Sequence, residues 1–205
     1  MLLYVDALYA SPYAMSAFVA LREKGVPFRM QTVNLQAGQN KEAEYTALSL
    51  TQRVPVLVDG AFALAESSAI AEYVNETQPG APLYPAAPQL RARARQVQAW
   101  LRSDLMPLRQ ERSTEVIFCG HVAKPLSAEA QAAVQKLFSV ASALLPEGSE
   151  NLFGAWCMAD TDLALMLNRL VAHGDFVPPH LATWTRRQWE RPSVQAWCNQ
   201  PRPSL

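Results

Sequence analysis

The sequence has only three cysteines, Cys119, Cys157 and Cys198. They are odd in number, widely spaced and without a Cys-x-x-Cys pair, which excludes a disulfide framework and reads as buried free thiols. The three histidines, His121, His173 and His180, are equally scattered. Neither residue type falls at metal-ligand spacing, so no metal is expected. An excess of charge is also missing: 18 basic residues balance 18 acidic ones, so no net field draws in nucleic acid or an anionic membrane surface, and a small ligand is expected. No apolar run reaches the roughly 18 residues of a membrane span. The basic start and apolar core of a secretory signal are lacking too, and a cytoplasmic location is the expectation. Repeats and low-complexity segments are absent.

What is present suffices for a core: half of the residues are hydrophobic, and the length suits one large domain or two small ones. Residues 2–5 form an apolar strand, and 15–24 a helical pattern that ends at Gly25. Between them lies Tyr9-Ala10-Ser11-Pro12-Tyr13-Ala14. Pro12 suits a first helical turn, which makes Ser11 the N-cap, aimed at free N–H groups and the positive end of the helix dipole, where an anion is stabilised. Residues 28–33 alternate as a strand through Phe28, Met30 and, less cleanly, Thr32. The polar stretch 34–49 holds a helix-compatible piece at 41–48 and reads as a mobile edge. Residues 53–58, Asp59-Gly60 and 62–64 form a hairpin, and Glu66-Ser67-Ser68 opens a third helix with Ile70, Tyr73 and Val74 on one face. The first half thus reads βαβαββα.

Four prolines and one glycine fall within residues 78–88, a composition that interrupts helix and sheet and marks an exposed linker. Beyond it the pattern is helical at 89–112, 127–145, 159–172, 181–190 and 193–199, with Pro107 expected to kink or split the first of these. The domain expectation is 1–78, a linker at 79–88, and an all-helical domain at 89–205.

Ser11-Pro12-Tyr13-Ala14 resembles the glutaredoxin motif Cys-Pro-Tyr-Cys with both thiols removed. With Val54-Pro55, Glu66-Ser67 and the helical second half, it resembles the cytosolic glutathione transferases over nearly the whole chain. The run from Ala10 to Val26 is most similar to serine-type classes, tau-like and bacterial theta-like. The resemblance implies a thioredoxin-like α/β N-terminal domain that binds glutathione, an all-α C-terminal domain, a homodimer, and neither metal nor nucleotide.

Without cysteine at positions 11 and 14, mixed-disulfide exchange at that site is disfavoured. A serine instead donates a hydrogen bond to the glutathione sulfur. Lowering a thiol pKa from about 8.5 by about two units needs only about 2.7 kcal/mol, within reach of one charge-assisted hydrogen bond and a helix terminus. Taken alone, Ser11 reads as a helix cap; the company of the other motifs favours the catalytic role. By the resemblance, Val54 pairs main chain to main chain with the cysteinyl unit before a cis Pro55, and Glu66 and Ser67 hold the γ-glutamyl end. Arg53 meets the glycine carboxylate or is merely solvated. Tyr4, Tyr9 and Tyr13 compete for the activating role, with apolar packing the better reading of each. Tyr13, Ser103, Met106 and Arg109 are the candidates for the pocket of the second substrate. Trp100 and Met106 read better as core, and Arg102, Arg109 and Arg112 equally as cleft-lining cations or surface ion pairs. Gly154-Ala155-Trp156-Cys157-Met158-Ala159-Asp160 resembles the family's helix-capping motif with a thiol in the cap position, which weakens the cap and leaves Asp160 to serve the backbone.

The expected reaction is attack of glutathione thiolate on a small electrophile or a hydroperoxide. The alternatives are a non-catalytic glutathione-binding module and a glutathione-dependent isomerase of a small dienoic acid.

Overall fold

The structure, a computed structural model, describes residues 1–203. In chain order the elements are β1 (Leu2–Asp6), α1 (Pro12–Glu23), β2 (Arg29–Val33), a 3-10 turn (Gln39–Lys41), α2 (Ala43–Leu48), β3 (Val56–Asp59), β4 (Phe62–Ala65) and α3 (Ser67–Thr77). The helices α4 (Pro88–Ser103), α5 (Met106–Glu111), α6 (Glu115–Phe118), α7 (Ala128–Leu144), α8 (Met158–His173), α9 (Pro179–Trp189) and α10 (Pro192–Cys198) follow. The chain forms two compact units: Met1–Leu83 with the chain from Pro192 onward, and Tyr84–Arg191.

The first unit has the βαβαββα order read from the sequence. Its sheet runs β2-β1-β3-β4, with β2 parallel to β1 and β3 antiparallel to both β1 and β4. Because side chains alternate along a strand, the pairs Leu3↔Leu57 and Tyr4↔Val56 face opposite sides. Tyr4, Val56 and Val58 pack with Tyr45 and Leu48 of α2. Leu3, Val5 and Leu57 are buried with the apolar faces of α1 (Met15, Phe18, Leu21) and α3 (Ile70, Val74). Strand β2 is mostly exposed, with Val33 as its buried residue. The stretch read as a mobile edge therefore carries an anchor, since Tyr45 is 6% exposed and meets Tyr4 edge to face at 5.8 Å.

Two segments differ from a reading by composition. The proline-rich stretch is not exposed throughout: Leu83 and Tyr84 are buried. The Leu83 N–H donates to Asn75 Oδ1 at 2.9 Å, and Lys24 Nζ donates to the Gln78 carbonyl at 2.9 Å. Proline content opposes helix and ladder but says nothing about burial. The last helix, counted by composition with the helical domain, packs on α1. Trp197 is fully buried, 5.3 Å from the Phe18 ring, and the Ser193 hydroxyl donates to Glu23.

In the second unit, α8 is buried on nearly all sides, its polar Asp160, Thr161, Asn168 and Arg169 included. Pro107 splits the long helical pattern: α4 stops, Leu105 takes a left-handed φ of 61°, and α5 restarts with Pro107 in its first turn. Asp160 accepts from the N–H groups of Leu152 (2.7 Å) and Cys157 (2.8 Å), and the capping box that a thiol is expected to weaken is closed from both sides. Burial raises the pKa of both the Cys157 thiol and the Asp160 carboxyl.

Candidate functional site

Sheet topology gathers three of the sequence-selected segments. Ser11 follows the C-terminal end of β1. Strand β3 runs antiparallel to β1, so its start, just after Val54-Pro55, lies at that same end, where Tyr4 pairs with Val56. Strand β4 reverses again, so Glu66 and Ser67 follow its end there, where Ala65 also pairs with Val56. Loops at one end of a sheet, positioned by rigid strands, are where binding groups collect.

Ser11 is the N-cap of α1, and its hydroxyl oxygen accepts from the Ala14 N–H at 3.2 Å. A hydroxyl has two lone pairs and one proton, so this cap leaves the proton for another acceptor. Capping and thiol activation are compatible. Asp6, 6% exposed at the end of β1, accepts from the N–H groups of Ala10 (2.8 Å) and Ser11 (3.0 Å). It fixes the turn in which Tyr9 adopts a φ of 48°.

The Val54-Pro55 peptide is cis. Val54 precedes the first laddered residue, Val56, and its side chain is buried beside Val33 and Tyr45. The preceding residue is held from α2: Tyr45 Oη and Ser49 Oγ both donate to the Arg53 carbonyl, at 2.7 and 3.1 Å, and the Arg53 N–H donates to Ser49 Oγ at 3.3 Å. Burial pushes the Tyr45 phenol up to about 12, so it stays a donor across the working pH range. The Arg53 side chain is exposed.

Glu66 is exposed, with φ 71° and ψ 113°, a conformation that costs a non-glycine residue about 1–3 kcal/mol and points to a constraint there. Ser67, 3% exposed, is the first residue of α3, which begins without a side-chain cap. A helix start of that kind offers its first N–H groups to an anion.

The remaining candidates are placed differently. Tyr13 is half-buried in the first turn of α1. Ser103, Met106 and Arg109 sit together around the α4–α5 break of the second unit. The Ser103 hydroxyl donates back to the Ala99 carbonyl (3.0 Å), and Arg109 Nη1 to the Arg102 carbonyl (2.8 Å). Both thus serve the helix end, while Met106 is 47% exposed rather than core. Arg102 pairs with Asp162 at 3.0 Å. Arg112 is neither a surface cation nor cleft-lining: at 1% exposure it holds Asp175 through two nitrogens, at 2.6 and 2.9 Å.

Sequence reasoning missed Asp6, Tyr45 and Ser49, which act on the site through backbone groups. Asp6 offered one signal, a carboxylate closing an apolar strand just before a turn. Tyr45 and Ser49 offered none, because their target lies across a loop. Among the described residues, no three His, Cys, Asp or Glu side chains gather as metal ligands, and no helix is long and apolar enough to cross a membrane.

A family model described as the glutathione S-transferase N-terminal domain matches residues 10–77, and one for the C-terminal domain matches residues 88–200. Over 99 residues (48% of this chain, 40% of the relative) the sequence is 34% identical to rat glutathione S-transferase theta-2. Over 92 residues (44% and 42%) it is 36% identical to maleylacetoacetate isomerase of Dictyostelium discoideum. The aligned part spans about two fifths of the length of these curated relatives. A crystal structure of a glutathione transferase homolog from Burkholderia BGR1, with bound glutathione, is 49% identical. It superimposes with a TM-score of 0.80 over 97% of this chain and 96% of that one.

Proposed function

The chain belongs to the glutathione S-transferase family, and on that premise we propose that it binds glutathione at the sheet end carrying Ser11, Val54 and Ser67 and directs the thiolate at small electrophiles. The observation that carries the reading is the Ser11 hydroxyl, which caps α1 through a lone pair and keeps its proton for a sulfur held near the helix start. There the dipole and the hydrogen bond act together to favour thiolate over thiol. The main chain of Val54, before the cis proline, aligns the cysteinyl unit as an added strand would. The uncapped start of α3 with Ser67 receives the γ-glutamyl carboxylate, and the exposed Glu66 receives its ammonium. Arg53, exposed beside them, suits the glycine carboxylate. The thiolate adds to or displaces at an electrophilic carbon, and a hydroperoxide oxygen is a second acceptor for the same nucleophile. The homodimer expected from the family resemblance belongs to this proposal.

Two variants test the site. Ser11→Ala keeps the fold and raises the pH at which bound glutathione ionises; an unchanged thiolate absorbance titration refutes the assigned role. Ser67→Ala weakens glutathione binding by about 1 to 3 kcal/mol, the usual cost of losing a hydrogen bond to a charged group; calorimetry that finds no loss moves the clamp elsewhere. The similarity to a maleylacetoacetate isomerase favours a second reading, in which the thiolate adds to a dienoic acid and is released after bond rotation. Parallel assays with an aryl halide, an organic hydroperoxide and a cis-dienoic acid separate the reactions. Glutathione binding with no turnover of any of the three leaves a binding module.

A further inference from the structure

We propose that Arg202 is a positioning residue for thiol activation, locking the peptide that precedes Ser11; the inference rests on the function proposed above for that site. The Tyr9–Ala10 peptide is gripped at both ends by opposite charges. Its carbonyl accepts from Arg202 Nη2 at 3.0 Å, and its N–H donates to Asp6 Oδ2 at 2.8 Å. Both bonds are charge-assisted and therefore stronger and more directional than neutral ones. The grip has something to oppose. Tyr9 holds a left-handed φ of 48°, which disfavours any side chain bearing a Cβ, and the turn relaxes if released.

The guanidinium is fixed in turn. Its two terminal nitrogens also donate to the carbonyls of Trp197 (3.1 Å), Cys198 and Gln200 (3.3 Å), closing the end of α10. Trp197 is fully buried and lays its ring edge to face against Tyr9, 5.7 Å between centroids. The segment after α9 therefore reaches the Tyr9 turn twice, once by packing and once by a cation. The planar fork of arginine bonds several carbonyls at once, which a lysine ammonium matches only in part.

The consequence for the reaction is narrow. Rotation of the Tyr9–Ala10 peptide re-aims Ser11, which alters the hydrogen bond to the sulfur and leaves the Val54 and Ser67 contacts with the tripeptide intact. Arg202→Met keeps most of the stem and removes the fork. The full-length variant is saturated with glutathione, its thiolate absorbance followed against pH, and kcat and KM measured with an aryl halide below the onset of melting. The ionisation is expected to move up by about one unit and kcat at neutral pH to fall about tenfold, recovering at higher pH, with KM for glutathione within about twofold. Arg202→Lys is expected to fall between wild type and Arg202→Met, and it carries the test alone if the methionine variant does not fold. A wild-type titration and kcat in the variants overturns the inference, as does a loss that neither alkaline pH nor lysine relieves. If Ser11→Ala shifts the titration and Arg202→Met does not, the inference alone fails. If the wild-type protein ionises glutathione no better than free solution does, the reading of the site fails with it.

Discussion

The carbonyl of Arg53 offers a double-mutant cycle whose outcome follows from its geometry. It accepts from Tyr45 Oη at 2.7 Å and Ser49 Oγ at 3.1 Å, using both lone pairs, and both donors are buried. Tyr45→Phe removes the shorter bond and leaves the ring packed against Tyr4. The cost is one net hydrogen bond, about 1 kcal/mol, because Ser49 still satisfies the carbonyl. Ser49→Ala removes the other donor and the acceptor of the Arg53 N–H; about 1 kcal/mol is again expected. Together they leave the carbonyl without a side-chain donor, adding a desolvation penalty of about 1–3 kcal/mol that neither single variant incurs. The double variant should therefore lose about 3–5 kcal/mol, exceeding the sum of the singles by at least about 1 kcal/mol. Urea denaturation of the four proteins measures the coupling, and glutathione calorimetry on the same set should place the largest affinity loss in the double variant, through Val54. Additivity within about 0.3 kcal/mol refutes the claim that the two side chains share one acceptor in solution.

Other outcomes follow from single features. At position 66, where φ is 71°, Glu66→Gly should be more stable than Glu66→Ala by about 1 kcal/mol in thermal or urea denaturation, the reverse of the usual order, because a positive φ costs less without a Cβ. A Cβ at Gly80 would lie 2.6 Å from the Lys24 carbonyl oxygen at a φ of +111°, so Gly80→Ala should cost on the order of 3 kcal/mol, and a near-neutral urea midpoint would contradict that packing. Hydrogen bonding from Arg112 holds the Asp175 carboxyl below its usual range. The native state therefore binds this proton less readily than the unfolded chain. Its stabilisation is fully present above pH about 4 and is lost as pH falls through the lowered native value. Asp175→Asn should remove that part of the acid dependence and cost about 3 kcal/mol at neutral pH, since Arg112 then keeps its charge in the interior without the carboxylate bonded to its two nitrogens.

Much of this was legible in the chain because it depends on neighbours in sequence. Pro12 behind Ser11 predicts a capped helix start, and the structure closes that cap on Ala14. Asp59-Gly60 predicts the hairpin, and Pro107 the break between α4 and α5. Arg112 was illegible for the opposite reason. An arginine in a helical pattern reads as a solvated cation, and the approach of Asp175, 63 residues away, with the carbonyls of Glu111 and Lys124 makes its burial tolerable. Met106 reads as core and is exposed, whereas the polar stretch 34–49 reads as a mobile edge and buries Tyr45, because hydrophobicity and polarity give average burial and actual burial depends on what packs opposite.

The order of elements, the capped turn at residue 11, the proline before β3 and the start of α3 were determined by the sequence itself, because each rests on backbone preferences and hydrogen bonds that reach only a few residues. Which groups hold that turn from a distance was decided only in three dimensions. Arg202 lies 193 residues from Tyr9, and no local preference brings a guanidinium to a carbonyl across such a span. That requires a helix packed by its tryptophan against α1, which is a property of the folded core.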